Sequence, residues 1–314
     1  NILIVIIAFA IIFQAFNVID LNYQAEVKSK YVVYAQLVSL VISSITKLVF
    51  VWMAAPLVWF ACVFLLDAVV RAAGMTAMYL KNTGEVWCWK WRWQTARVLL
   101  KDSWPLILAG MTVSIYMKID QIMIKEMLDA EAVGFYAAAV RLSEAWYFIP
   151  VAITSSVFPA IINAKKQSEE LYCQRLQKLY DLMVLLAVAI ALPTTFLAHW
   201  VIRLLYGEAF LPAAGVLSIH IWAGVFVFLG IASGKWFITE NFMKLSFYRT
   251  FLGAIGNVVF NLIFIPILHI KGAAMGTLLA NFLAAYFFDV INLKTRKNFL
   301  MKTKSLCFFI GVKK

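Results

Sequence analysis

The chain begins with NILIVIIAFAIIFQAFNVI (residues 1–19), an almost unbroken apolar run. A helix needs about 20 mostly apolar residues to cross a membrane, and this run is long enough. Similar runs recur, and none shows the alternating segments of about ten residues that an outer-membrane barrel requires. The pattern predicts nine spanning helices, at residues 1–19, 32–51, 55–74, 104–124, 133–161, 180–201, 214–237, 248–267 and 272–292.

Composition points the same way. Of the 314 residues, 64% are hydrophobic and only 14% are charged, whereas roughly 45–50% of the residues in an ordinary soluble domain are apolar. We therefore predict an all-α, multi-pass integral membrane protein. The four cysteines and three histidines show no spacing typical of metal ligands, so neither a metal site nor a bound cofactor is expected.

The distribution of basic residues predicts the orientation. If the segment after the first span is cytoplasmic, the external segments contain only Lys125, Arg203 and Lys271, and the other connections and the tail contain most of the Lys and Arg. This bias agrees with the positive-inside rule and accounts for the net charge of +12 without nucleic acid. We expect a bacterial inner-membrane protein whose carboxyl terminus is cytoplasmic.

Four tryptophans alternate with basic and polar residues in VWCWKWRWQ (residues 86–94). Tryptophan favours the headgroup layer, and Lys and Arg favour the anionic inner leaflet, so this run is interpreted as an interfacial anchor. A surface for a partner or for a lipid-linked sugar is the alternative interpretation.

Two predicted spans contain ionisable residues, which are costly in a bilayer and usually face a cavity or a partner. In MKIDQIMIK (residues 117–125), Lys118 and Gln121 share one helical face, and Asp120 lies on another. In the next span, Arg141 and Glu144 are three residues apart. Lys118 and Arg141 both fall between the outer surface and the midplane, so adjacent helices could present them together.

These charges have two interpretations. Arg141 could form a structural ion pair with Glu144 or with Asp120, or Lys118 and Arg141 could line a cationic cavity for an anionic substrate. Asn257 and Asn261 lie on one helical stripe with Gly253, where helix packing is the favoured role. No nucleophile with a nearby base and no glycine-rich phosphate loop is evident, so neither an enzyme nor an ATP-driven pump acting alone is expected.

Several stretches resemble one transporter family. They are IDQIMI (119–124), VGFYAAAVRLSEAWYFIPVAITSSVFPAI (133–161), LLYGEAFLPAAGVLSI (204–219) and NLIFIPILHIKGAAMGTLLAN (261–281). They resemble polysaccharide flippases of the O-antigen (Wzx) type, which share a superfamily with multidrug and toxin extrusion transporters. The resemblance implies two six-helix bundles that rock about a central cavity, with helices four to twelve in this chain and the first three missing. It divides the chain into the remainder of the first bundle (1–80), an interfacial linker (81–103), a six-helix bundle (104–293) and a basic cytoplasmic tail (294–314).

The same resemblance implies translocation of an undecaprenyl-pyrophosphate-linked oligosaccharide by alternating access, as a monomer among membrane lipids. A polysaccharide polymerase and a chain-length regulator are the expected protein partners. The candidate substrate-binding residues are Lys118, Asp120, Gln121, Arg141, Glu144, Asn257 and Asn261. The carboxylates could also couple transport to a proton or sodium gradient. A drug or lipid exporter of the same superfamily, or a non-transporting membrane component of polysaccharide assembly, is the alternative.

Overall fold

The computed structural model describes residues 2–25, 30–83, 92–100, 118–291 and 293–310, and all regular structure in these ranges is helical. The chain divides into two compact units, Asn1–Asp102 and Ser103–Lys314. The helices of the first unit are α1 (Ile2–Phe13), α2 (Asn17–Ala25), α3 (Lys30–Trp52) and α4 (Leu57–Thr83), and residues 93–100 are also helical.

The second unit has ten helices among its described residues. They are α5 (Ile119–Met127), α6 (Ala130–Glu144), α7 (Phe148–Gln167), α8 (Glu169–Tyr206), α9 (Pro212–His220), α10 (Ala223–Thr239), α11 (Met243–Leu268), α12 (Ile270–Phe282), α13 (Phe288–Ile291) and α14 (Arg296–Ile310). A π-helical turn, Leu283–Phe287, joins α12 to α13.

Eight stretches of the described residues are long and apolar enough to cross a membrane. They are Ile2–Asp20, Val32–Trp52, Leu57–Asn82, Ala130–Gln167, Glu169–Tyr206, Pro212–Thr239, Met243–Leu268 and Ile270–Ile291. The prediction of an all-helical, multi-pass membrane protein is confirmed, and these stretches match eight of the nine predicted spans. The remaining predicted span, 104–124, lies mostly outside the described residues, as does the larger part of the tryptophan-rich run, residues 86–91.

In the first unit, the core contains Tyr23, Val32 and Met75. A polar contact between α3 and α4 supplements it, since the Ser39 hydroxyl donates to Asp67 Oδ1 at 2.6 Å. Asp67 also pairs with Arg71, four residues later on α4, at 2.5 Å. These bonds satisfy a carboxylate that would be costly to leave unpaired within a spanning helix.

The longest helix of the second unit is α8, whose 38 residues extend about 57 Å at about 1.5 Å per residue. That length exceeds the hydrocarbon core of a bilayer, which is about 30 Å thick. The amino-terminal half of α8, whose buried residues include Tyr172 and Tyr180, packs against α7 and α10. At the other end, Gly207 has a φ of +85°, a conformation that favours glycine, and the chain turns there toward α9.

Helices α11 and α12 approach closely because small residues lie between them. A Cβ atom added to Gly272 would collide with the backbone of Phe264, and one added to Gly276 would collide with the Asn261 side chain. Small residues at such a crossing allow two helices to pack within a membrane. The crossing holds the polar stripe of α11 directly against α12.

The basic carboxyl-terminal segment forms helix α14, which packs against α8 through polar side chains. Lys302 is fully buried and donates to Asp289 Oδ2 at 2.7 Å. It also donates to the Ala285 carbonyl, in the π-helical turn, at 2.6 Å. Burial lowers the pKa of Lys302 to about 8. The segment predicted as a basic tail is thus an integral part of the second unit.

Candidate functional site

Four of the residues that the sequence singled out line one pocket of the second unit. Lys118 and Gln121 reach it from the start of α5, and Arg141 and Glu144 from the last turn of α6. The pocket has a volume of about 430 Å³, within the range of roughly 300–1,000 Å³ that is typical of small-molecule sites. A pocket of this size can admit part of a large head group.

The charges in this pocket are available to a ligand. Within the described part of the chain, neither Lys118 nor Arg141 forms an ion pair with a carboxylate, and both side chains are exposed. Arg141 lies 11 residues after the first residue of α6, which is about 16 Å along the helix. Arg141 at this depth of a membrane span and Lys118 at the start of α5 together form a local anion-attracting surface.

The pocket also has an aromatic side. Tyr206, the last residue of α8, and Phe210, four residues later, both line it. Their ring centroids are 5.5 Å apart with an angle of 31° between the planes. The edge of a third ring, that of Phe135, contacts Phe210 at a centroid distance of 5.4 Å. Gly134 lines the pocket as well, and open space surrounds the position that its Cβ would occupy.

Asp120 points away from this pocket into a buried polar network. Tyr136 and Thr277 donate to its Oδ2 at 2.8 and 2.7 Å, and Asn261 donates to its Oδ1 at 2.6 Å. Asn261 also donates to Asn257 Oδ1 at 3.3 Å. All these partners are neutral, and among the described residues no Lys or Arg pairs with Asp120. A carboxylate buried among the side chains of spanning helices without a counter-charge is unusual.

The Asp120 network has the chemistry of a proton or small-cation site. Asn261 Oδ1 is buried without a hydrogen-bond partner in the described structure, close to Asp120. The carboxylate, two amide oxygens and the Thr277 hydroxyl are hard oxygen donors of the kind that bind Na⁺-like cations. A carboxylate can hold a proton as well as accept hydrogen bonds, so the side-chain chemistry present suits a proton or a small cation.

A serine and a histidine also meet in this unit. Ser143 Oγ and His220 Nδ1 are 2.9 Å apart, a pairing that the sequence did not predict. Both side chains are buried, with 0% and 2% of their surface exposed, and neither lines the pocket. A nucleophile must reach its substrate, so we interpret this contact as an internal hydrogen bond that joins α6 to α9.

Comparison with known families decides the identity of the chain. A sequence model of the family described as "Polysaccharide biosynthesis protein" matches residues 1–215 of the 314. The chain belongs to the polysaccharide biosynthesis protein family. Its family resemblance was predicted from four sequence stretches, two of which lie wholly within the matched residues and one of which overlaps them. A search of curated proteins gave no significant match.

A solved structure shares the fold of this polysaccharide biosynthesis protein. The structure is that of lipid II flippase MurJ in an inward closed conformation, with a TM-score of 0.74 and 14% sequence identity. The match covers 99% of this chain and 68% of the MurJ chain. At such low identity the likeness shows the common fold.

The structure therefore separates the seven candidate residues of this family member into two groups. Lys118, Gln121, Arg141 and Glu144 line the pocket, whereas Asp120, Asn257 and Asn261 belong to the buried network. The helical spacing of α5 correctly placed Asp120 on a different face from Lys118 and Gln121. Helical spacing alone did not predict that Asp120 is buried among the helices and does not line the pocket.

Sequence reasoning missed the other members of both groups. Tyr206 and Phe210 are distant from the charged residues along the chain, and no local pattern links them. Tyr136 and Thr277 complete the network around Asp120. One signal was present, since Thr277 follows Ala273, Ala274 and Gly276 in a stretch of small residues, where an adjacent helix can approach closely.

Proposed function

We propose that this chain forms the substrate-translocating part of a flippase for undecaprenyl-pyrophosphate-linked oligosaccharide, an O-antigen or related surface polysaccharide unit. The family membership supports a role in polysaccharide biosynthesis, and the shared fold is that of a protein described as a lipid II flippase. Transport proceeds by alternating access, in which the head group passes through a polar cavity and the prenyl chain stays in lipid.

The observation that carries this proposal is the pair of cations in the pocket. Lys118 and Arg141 line one pocket, and among the described residues neither forms an ion pair with a carboxylate. Arg and Lys bind phosphate well, and Arg does so through two parallel hydrogen bonds. These two positive charges would repel the cationic compounds that a drug exporter of this kind carries. An anionic lipid-linked substrate is therefore favoured over that alternative.

The function has a genetic test. Deletion of the gene in its host should remove surface polysaccharide and cause lipid-linked oligosaccharide to accumulate, and the full gene product that contains these residues should reverse both effects. If the protein is a drug exporter, deletion should leave surface polysaccharide intact and instead raise sensitivity to exported compounds.

We propose that the protein lies in the bacterial inner membrane with its carboxyl terminus in the cytoplasm, as the positive-inside rule favours. In this orientation, Cys173 near the start of α8 and Cys307 on α14 are cytoplasmic, and Cys62 lies within the span formed by α4. Variants that keep one cysteine each permit a direct test. A membrane-impermeant thiol reagent should label Cys173 and Cys307 in inverted vesicles but not in intact spheroplasts, with Cys62 as the control within the bilayer. Labelling of Cys173 from outside would show that the orientation is the opposite of the one proposed.

We also propose that Asp120 couples translocation to an ion gradient. In this role Asp120 takes up a proton, or binds sodium together with oxygens of Asn257, Asn261 and Thr277. Because α5, α6, α11 and α12 all contribute to the network, a change in the charge of Asp120 alters how these helices pack. The bound ion would favour one packing arrangement over another, which is the requirement for coupling.

A further inference from the structure

The pocket contains polar groups that a diphosphate alone would not need. Phosphate oxygens are satisfied by cations such as Lys118 and Arg141. Glu144 also lines the pocket, and its carboxylate would repel a phosphate. Gln121 adds a neutral amide. A carboxylate and an amide beside two cations suit a ligand with many hydroxyl groups, which donate to Glu144 and both donate to and accept from Gln121.

The aromatic side of the pocket supplies the complementary chemistry. A pyranose ring has an apolar face of C–H bonds, which packs on the face of an aromatic ring while its hydroxyl groups project sideways. Tyr206 and Phe210 are only partly buried, and both are accessible from the pocket. Phe135 supports the ring of Phe210 from its edge. The Tyr206 hydroxyl forms no hydrogen bond with another described residue, so it is available to a sugar.

The shape of the pocket leaves room for such a ring. Gly134, on α6, lines the pocket and has open space where a side chain would project. The short turn after Gly207 holds Phe210 beside Tyr206, so the two rings are presented together. Four polar side chains beside apolar and aromatic ones line the pocket, and polar groups placed against an apolar surface can fix the orientation of a ligand.

We infer that this pocket binds a sugar ring of the substrate head group, with the ring stacked on Tyr206 and Phe210, its hydroxyl groups bonded to Gln121 and Glu144, and the neighbouring diphosphate held by Arg141 and Lys118. The inference rests on the proposed function, because it assigns the sugar-binding part of the same site. The pocket would then recognise the sugar of the substrate as well as its charged diphosphate.

The test compares two lipids. The full gene product, in lipid nanodiscs, is titrated with undecaprenyl pyrophosphate and with the lipid-linked oligosaccharide isolated from the host's deletion strain. Tyr206→Leu and Phe210→Leu should each weaken binding of the oligosaccharide lipid about three- to tenfold, the range typical of a lost aromatic contact. Binding of undecaprenyl pyrophosphate should change by less than about twofold. Tyr248→Leu, at an exposed tyrosine outside the pocket, is the matched control.

A second substitution tests the pocket by filling it. Gly134→Leu should block the oligosaccharide lipid selectively, whereas Gly234→Leu should not, although both glycines are helical and have open space at the Cβ position. Equal losses for both lipids, or no loss for either, in the Tyr206, Phe210 and Gly134 variants would overturn the sugar site. If the unmodified protein binds neither lipid, the proposed function itself fails, which is a distinct result.

Discussion

Replacement of Arg141 by alanine in the full gene product should lower the rate of oligosaccharide translocation about 10- to 100-fold while protein abundance stays near normal. A hydrogen bond to a charged group contributes about 1.5–3 kcal/mol, and in the proposed site Arg141 makes two such bonds to diphosphate. Arg141→Lys should recover part of the rate, since the charge remains but the planar fork is lost. The measurement is surface polysaccharide together with membrane abundance of each variant.

Arg203→Ala is the matched control for this experiment. Arg203 pairs with Glu208 at 2.8 Å on the exposed surface and does not line the pocket, so its loss should have little effect on translocation. The competing interpretation is that Arg141 stabilises the fold through a structural pair with Glu144, a pair that the described structure does not contain. On that interpretation the single change lowers abundance, and Arg141→Ala combined with Glu144→Ala restores both abundance and transport. A stable, fully active double variant would remove Arg141 from the site.

Asp120→Asn should abolish the acceleration of transport by an ion gradient. Asparagine keeps the size of the side chain and most of its hydrogen-bonding capacity, because the hydroxyl groups of Tyr136 and Thr277 can rotate to accept. It cannot carry the charge that a proton or sodium ion neutralises. Translocation down a substrate gradient should persist at a reduced rate. The measurement is transport in proteoliposomes under imposed sodium and proton gradients.

Two further variants make this result specific. Asp181→Asn changes a carboxylate that accepts hydrogen bonds from Ser305 and Gln177 in a separate cluster, and this variant should keep its response to the gradient. Thr277→Val removes one oxygen donor from the network. It should weaken a sodium response and leave a proton response in place. A gradient response that survives in Asp120→Asn would show that coupling occurs elsewhere.

Much of this fold follows from the sequence because spanning helices are determined by long apolar runs. Eight predicted spans agree with eight observed ones to within several residues at most ends. The end that differs most is the start of the helix predicted at 180–201, which is observed at Glu169–Tyr206. Polar residues such as Glu169 and Arg203 continue the helix beyond the apolar core, and hydropathy does not detect such extensions.

Helix α14 was missed for a related reason. Its basic composition resembles a solvated tail, yet Asn298, Lys302 and Ser305 are fully buried and lie on one helical face. Buried stripes are ordinarily recognised by apolar residues, and here the stripe is polar. Its partner Asp289, on α13, ends the last span, so the interaction becomes evident only in three dimensions.

The candidate site was predictable only in part. Helical spacing placed Lys118 and Gln121 together, and counting along antiparallel helices brought Arg141 to the same depth. Tyr206 and Phe210 join them because the ring of Phe210 packs against Phe135 of α6 and beside Tyr206, and no local pattern encodes these contacts. The role of Asn261 likewise depends on Gly276, whose lack of a side chain admits the amide beside Asp120.

The most direct test of the central claim is translocation by the purified full gene product. Lipid-linked oligosaccharide is incorporated in proteoliposomes, and a membrane-impermeant glycosidase measures the fraction exposed outside over time. We predict that the protein converts the inner pool to exposed substrate far faster than protein-free vesicles do, and that Arg141→Ala approaches the protein-free rate. An inner pool that stays protected at the protein-free rate with the unmodified protein would contradict the assignment of a flippase.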